Sequence, residues 1–80
     1  MAMRITITDT STSMSVDIDV EPYNTVDELI ESVASFWDKD LGAYVLRWQT
    51  YILRGETQVG TLGLTEGIIL EFIQDPEGGS

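Results

Sequence analysis

The sequence contains no cysteine and no histidine, and Lys39 is its only lysine. Bases are scarce altogether: four Lys and Arg stand against fourteen Asp and Glu, a formal charge of −10. Without thiols or imidazoles, disulfides, the usual zinc sites, thiol nucleophiles and histidine acid–base chemistry are excluded. The acidic excess repels phosphate backbones and anionic lipid, which argues against nucleic acid or membrane as partners and for a basic protein surface. No run approaches the roughly 18 apolar residues that cross a bilayer, and the opening MAMRITITDT, without a long apolar run, is not expected to be a signal peptide. A cytoplasmic, monomeric protein is expected. No catalytic residue, cofactor or metal is expected either.

What remains is a pattern. Eighty residues, 42% of them hydrophobic, are enough for one modest core. Met3, Ile5 and Ile7 alternate with Arg4, Thr6 and Thr8; Val16, Ile18 and Val20 alternate with Asp17, Asp19 and Glu21. Two such runs around the polar stretch from Asp9 to Ser13 predict a β-hairpin. Pro22 closes the second run. Thr25 with Glu28 three residues later is a capping box, and Val26, Leu29, Ile30, Val33 and Trp37 repeat at helical spacing. The helix is expected to end between Asp38 and Gly42. Strands are predicted over Tyr44–Trp48, Tyr51–Leu53 and Ile68–Ile73, with Leu70 and Phe72 facing inward. Residues 1–73 then form a domain and 74–80 a mobile tail. The order β-β-α-β-β-β is an α+β layout, a mixed sheet with one helix packed on one face. Its core is expected from Ile5, Ile7, Val16, Ile18, Val20, Val26, Leu29, Val33, Leu46, Leu53, Val59, Leu64, Leu70 and Phe72.

Several weaker signals have plain readings. Asp17, Asp19 and Glu21 lack the spacing of a calcium loop and read as a solvated strand face. Trp37 and Trp48 fall on inward stripes and read as core packing. Gly55, Gly60, Gly63 and Gly67 mark turns and form no phosphate loop.

This order resembles the ubiquitin-like β-grasp family. Val20-Glu21-Pro22 followed by Thr25-Val26 carries the likeness, the inward residues from Val16 to Phe72 fall on the family's core positions, and Gly78-Gly79 falls on its terminal diglycine. The resemblance covers nearly the whole chain. It departs at the family's apolar binding patch, whose three positions here read Ser11, Arg47 and Ile73. The chain-building lysines are absent but for Lys39, and an arginine three before the diglycine is replaced by Asp75. These departures make it similar to acidic prokaryotic or viral members.

The resemblance implies a protein modifier, an acyl donor and not an enzyme. Its carboxylate at Gly79 would be adenylated and passed to a cysteine as a thioester, after a peptidase removes Ser80. Glycine has no Cβ and can thread a narrow channel; the six residues from Gln74 to Gly79, extended, reach about 20 Å. The implied partners are an activating enzyme, a conjugating enzyme, a deconjugating peptidase and protein targets. In bacteria the family's roles include antiphage defence. Lys39 is the one side-chain amine available for chains. Arg4, Val45, Arg47, Gln49, Ile69, Glu71 and Ile73 are expected to share the outer sheet face, with Val45, Ile69 and Ile73 as an apolar strip for partners. Two alternatives stay open. One is a non-conjugated binding module, like the ubiquitin-like accessory protein of type VII secretion, with the final Gly-Gly-Ser as a linker. The other is a sulfur carrier.

Overall fold

The computed structural model describes residues 2–76, except for the side chain at position 41. Strands β1 (Met3–Asp9) and β2 (Met14–Val20) pair antiparallel from Met3↔Val20 to Asp9↔Met14. The turn between them is built on Asp9. Its carbonyl accepts the N–H groups of Thr12 and Ser13, and its Oδ1 accepts the N–H and hydroxyl of Ser11.

Helix α1 (Val26–Phe36) starts as its sequence requires. Glu28 N–H donates to Thr25 Oγ1 at 3.1 Å, and Thr25 N–H donates to Glu28 Oε1 at 2.8 Å. The approach from β2 is fixed by Asn24, whose Oδ1 accepts Glu21 N–H at 2.7 Å. Trp37 caps the helix, and Asp38 enters the left-handed region at φ 56°. Asp38 N–H then donates to Ser35 O and Lys39 N–H to Ala34 O, a Schellman ending.

A short 3₁₀ turn (Leu41–Ala43) leads into β3 (Tyr44–Trp48) and β4 (Tyr51–Leu53), which pair antiparallel. A second 3₁₀ turn (Val59–Thr61) precedes β5 (Ile69–Gln74). β5 enters the middle of the sheet, parallel to β1 and antiparallel to β3, giving the order β2-β1-β5-β3-β4. The helix and the inner sheet face enclose the core.

Ile5, Ile7, Leu46, Val59, Leu70 and Phe72 are fully buried there, with Val20, Val26, Leu29, Val33, Leu53 and Leu64. Ile30 and Ala34 join them from the helix. Val16 and Ile18, expected in the core, are half-buried, because β2 is an edge strand and packs against the core's margin. Trp37 and Trp48 pack partly buried on the same core, and Trp37 and Tyr44 both meet the Phe72 ring, at 5.6 and 4.6 Å between centroids.

Sheet structure does not stop at Ile73, where the domain was expected to end. Gln74 pairs with Tyr44, and Asp75 N–H donates to Ala43 O at 2.9 Å. The body therefore holds the chain through residue 75.

Candidate functional site

The outer sheet face and the place where the chain leaves β5 form the candidate site. Register brings Arg4, Val45, Arg47, Ile69, Glu71 and Ile73 to one face, as the alternation predicts: Thr6 pairs with Ile69, Thr8 and Arg47 flank Glu71, and Val45 pairs with Ile73. Gln49 does not join it; it occupies the β3–β4 turn with φ 58°.

The expected apolar strip is not continuous. Ile69 is 61% exposed, Ile73 is half-buried and Val45 is only 3% exposed. Between Ile69 and the other two lies an ion pair, with Arg47 Nη2 2.6 Å and Nε 2.7 Å from Glu71 Oε1. Val45 is covered for a separate reason. Leu46 pairs with Leu53, which sets Arg54 alongside Val45, while Ile73 and then Asp75 follow on its other side. Arg54 donates to Asp75 through both guanidinium nitrogens, Nη1 to Oδ2 at 2.9 Å and Nη2 to Oδ1 at 3.0 Å. Since β3 lies between β4 and β5, this pair reaches across β3, and its two residues line one groove with Val45. Alternation sets Val45 opposite to Leu46 in the pleat; it carries no information on a bridge between residues 21 apart.

The remaining outer face is polar by cross-strand pairing. Arg4 donates to Asp19 at 3.1 Å and Thr6 to Asp17 at 2.6 Å, and the hydroxyls of Thr8 and Ser15 lie 2.8 Å apart. Ser11, the first of the three patch positions named above, is bound to Asp9. All four basic side chains of the protein are thus in ion pairs, the fourth being Lys39, 3.7 Å from Asp9 Oδ2.

Lys39 is partly buried, and its Nζ also stands 6.0 Å from the Tyr44 ring centre. Asp9 is the buried charged residue among those described. Burial pushes its carboxyl upward, but the hydroxyl and N–H of Ser11, with Lys39 and Thr12, outweigh burial and hold it below the usual value. In the sequence Asp9 reads as a turn residue; its burial follows from β1 continuing to Asp9, opposite Phe72.

Beside the exit, a groove of about 440 Å³ runs between α1 and the β3–β4 edge, lined among others by Asp27, Ile30, Glu31, Arg54 and Asp75. Among the described residues no three Asp or Glu side chains gather as a cation site, and no helix is long and apolar enough to cross a membrane. Gly78, Gly79 and Ser80 lie outside the described residues.

No family model matches the sequence, and no curated protein matches it. Solved structures do match. The ubiquitin of Caldiarchaeum subterraneum superimposes with a TM-score of 0.86 at 20% identity, over 99% of this chain and all of that one. The UBL domain of Plasmodium falciparum Dsk2 superimposes with a TM-score of 0.84 at 19% identity, over 94% of this chain and all of that one. With one helix across a five-stranded mixed sheet in the order described above, the chain has the ubiquitin-like β-grasp fold.

Proposed function

We propose that this protein is an acidic ubiquitin-like modifier of the prokaryotic kind, joined to target proteins through Gly79 once Ser80 is removed. What supports the reading is one conjunction: a ubiquitin-like body whose central strand β5 ends at Gln74, with Gly78-Gly79 four and five residues further along the sequence. The protein acts as the acyl donor and supplies no catalytic group. An activating enzyme adenylates the Gly79 carboxylate with Mg-ATP, an enzyme cysteine displaces AMP to form a thioester, and a target amine displaces the thiolate to form the amide. A peptidase reverses the last bond. These partners are met in the cytoplasm by a monomer, and in a bacterium the targets belong to processes such as antiphage defence.

The surface favours partners other than readers of the eukaryotic apolar patch, since Arg47 and Glu71 stand paired at its centre. Lys39, the sole side-chain amine for chains, is held by Asp9.

Tagged protein expressed in its native host tests the reading. We expect Ser80 to be absent from the mature mass and a ladder of larger, ATP-dependent adducts that vanishes when Gly79 is deleted. Retention of Ser80 with no adducts would overturn it. A thiocarboxylate at Gly79 would replace it with sulfur transfer. The second reading is a non-conjugated binding module, which the shared fold serves equally. It predicts host proteins that co-purify without any covalent adduct.

A further inference from the structure

We infer that Arg54 is a positioning residue for the conjugating end, acting through Asp75; the inference rests on the modifier reading above. Asp75 is fixed three times over. Its N–H donates to Ala43 O, and both carboxylate oxygens accept from Arg54. The pair is well placed to hold: the Asp75 side chain is 12% exposed and Arg54 39%, so the fork-to-fork contact is partly withdrawn from water and screening. Pro76 follows directly. It has no N–H with which to extend the ladder, and its ring fixes φ. Sheet pairing therefore cannot continue through residue 76, and residue 75 is anchored.

The consequence is a shorter tether. From an anchored Asp75, only Pro76–Gly79 separates the body from the acyl carbon. Four extended residues reach about 14 Å, against about 20 Å for the six counted from Gln74. A receiving enzyme must bring its active site that much closer, and the donor's search volume shrinks accordingly. The same pair decides what a partner meets at position 75. Both oxygens of the carboxylate are already bound to Arg54, so the enzyme meets a neutral, shape-defined corner and not a lone negative charge.

Charge exchange tests this. Arg54→Asp, Asp75→Arg and the double exchange are compared with wild type by amide hydrogen exchange at position 75 and by adduct yield in the native host. Melting curves show that each variant folds. We expect each single variant to speed exchange at position 75 by about tenfold, the effect of losing one charge-assisted pair, and to lower adduct yield. The double exchange is expected to restore both. Two results would overturn the inference. In one, single variants leave exchange and yield unchanged. In the other, the double exchange restores protection but not adducts, which would mean that a partner reads Asp75 itself. If wild type forms no adduct, the modifier reading and the conjugating role of Arg54 both fail, and the exchange data alone decide whether Arg54 holds position 75.

Discussion

Asp9 is the buried charged side chain among the described residues, and it serves two contacts. It closes the β1–β2 turn through Ser11 and ties that turn to the segment after α1 through Lys39. Its carboxyl is held below the ordinary value of 3.8, so the folded state binds this proton less readily than the unfolded chain does. The stability it contributes is complete above that value and is lost as pH falls through the lower, native one. Urea midpoints taken from pH 6 down to pH 2 should therefore fall more steeply for wild type than for Asp9→Asn, which removes the titrating group. At pH 6 the variant should be less stable by about 1–3 kcal/mol, the cost of unpairing a buried charged contact. Parallel pH profiles would show that Asp9 does not carry this dependence. A second residue works by having no side chain. A Cβ on Gly60 would sit 2.8 Å from Pro22 Cβ and 3.0 Å from Pro22 O, and Gly60 N–H donates to that same carbonyl at 2.9 Å. Gly60→Ala should cost about 1–3 kcal/mol through this overpacking, seen as a lower denaturation midpoint. That glycine reads in the sequence as a turn; only the return of residues 59–61 onto the Val-Glu-Pro segment shows that contact forbids a larger residue.

At the scale of elements, the helix shows how unevenly structure is written in sequence. Its start was fully legible, because the Thr25–Glu28 box is a local, four-residue signal and both of its hydrogen bonds form. Its end was not. The expected stop lay anywhere from Asp38 to Gly42, since no glycine stands at the left-handed position; Asp38 occupies it with φ 56°. An acidic side chain there also faces the negative end of the helix, whose last turn has no basic residue. Asp38→Gly should relieve both penalties and stabilise the protein by about 1 kcal/mol, raising the thermal midpoint. Thr25→Ala should lower it by about the same amount through loss of the cap. Equal midpoints for Asp38→Gly and wild type would mean that the Asp38 side chain makes a compensating contact. The strands were legible because period-two alternation survives wherever one face is buried. Burial at the margins was not: Val16 and Ile18 look like core in sequence, and only the position of β2 at the sheet edge leaves them half-exposed.

For the whole molecule, the pairing of every basic side chain changes what the net charge means. The four cations are held by Asp9, Asp19, Glu71 and Asp75, so none remains to offset the other carboxylates, and the surplus of −10 is borne without neutralisation. The body measures 36 × 23 × 22 Å, so many like charges lie within one or two screening lengths of about 8–10 Å at moderate salt. Repulsion among them favours expansion. Salt acts oppositely on the exposed Arg4–Asp19 pair, which it weakens, but exposed pairs contribute little. Raising sodium chloride from about 20 to about 500 mM should therefore stabilise the protein; each kcal/mol of relieved repulsion corresponds to a rise of about 4–8 °C in Tm. A falling Tm would show that the internal pairs, and not the surplus charge, dominate. The same surplus governs encounter with partners. A receiving surface that complements this molecule is basic, and its association rate should drop over the salt range in which the free protein becomes more stable. That opposition separates the two effects: screening helps the isolated fold and slows its recognition, so a partner whose association rate is indifferent to salt does not bind through the acidic surface.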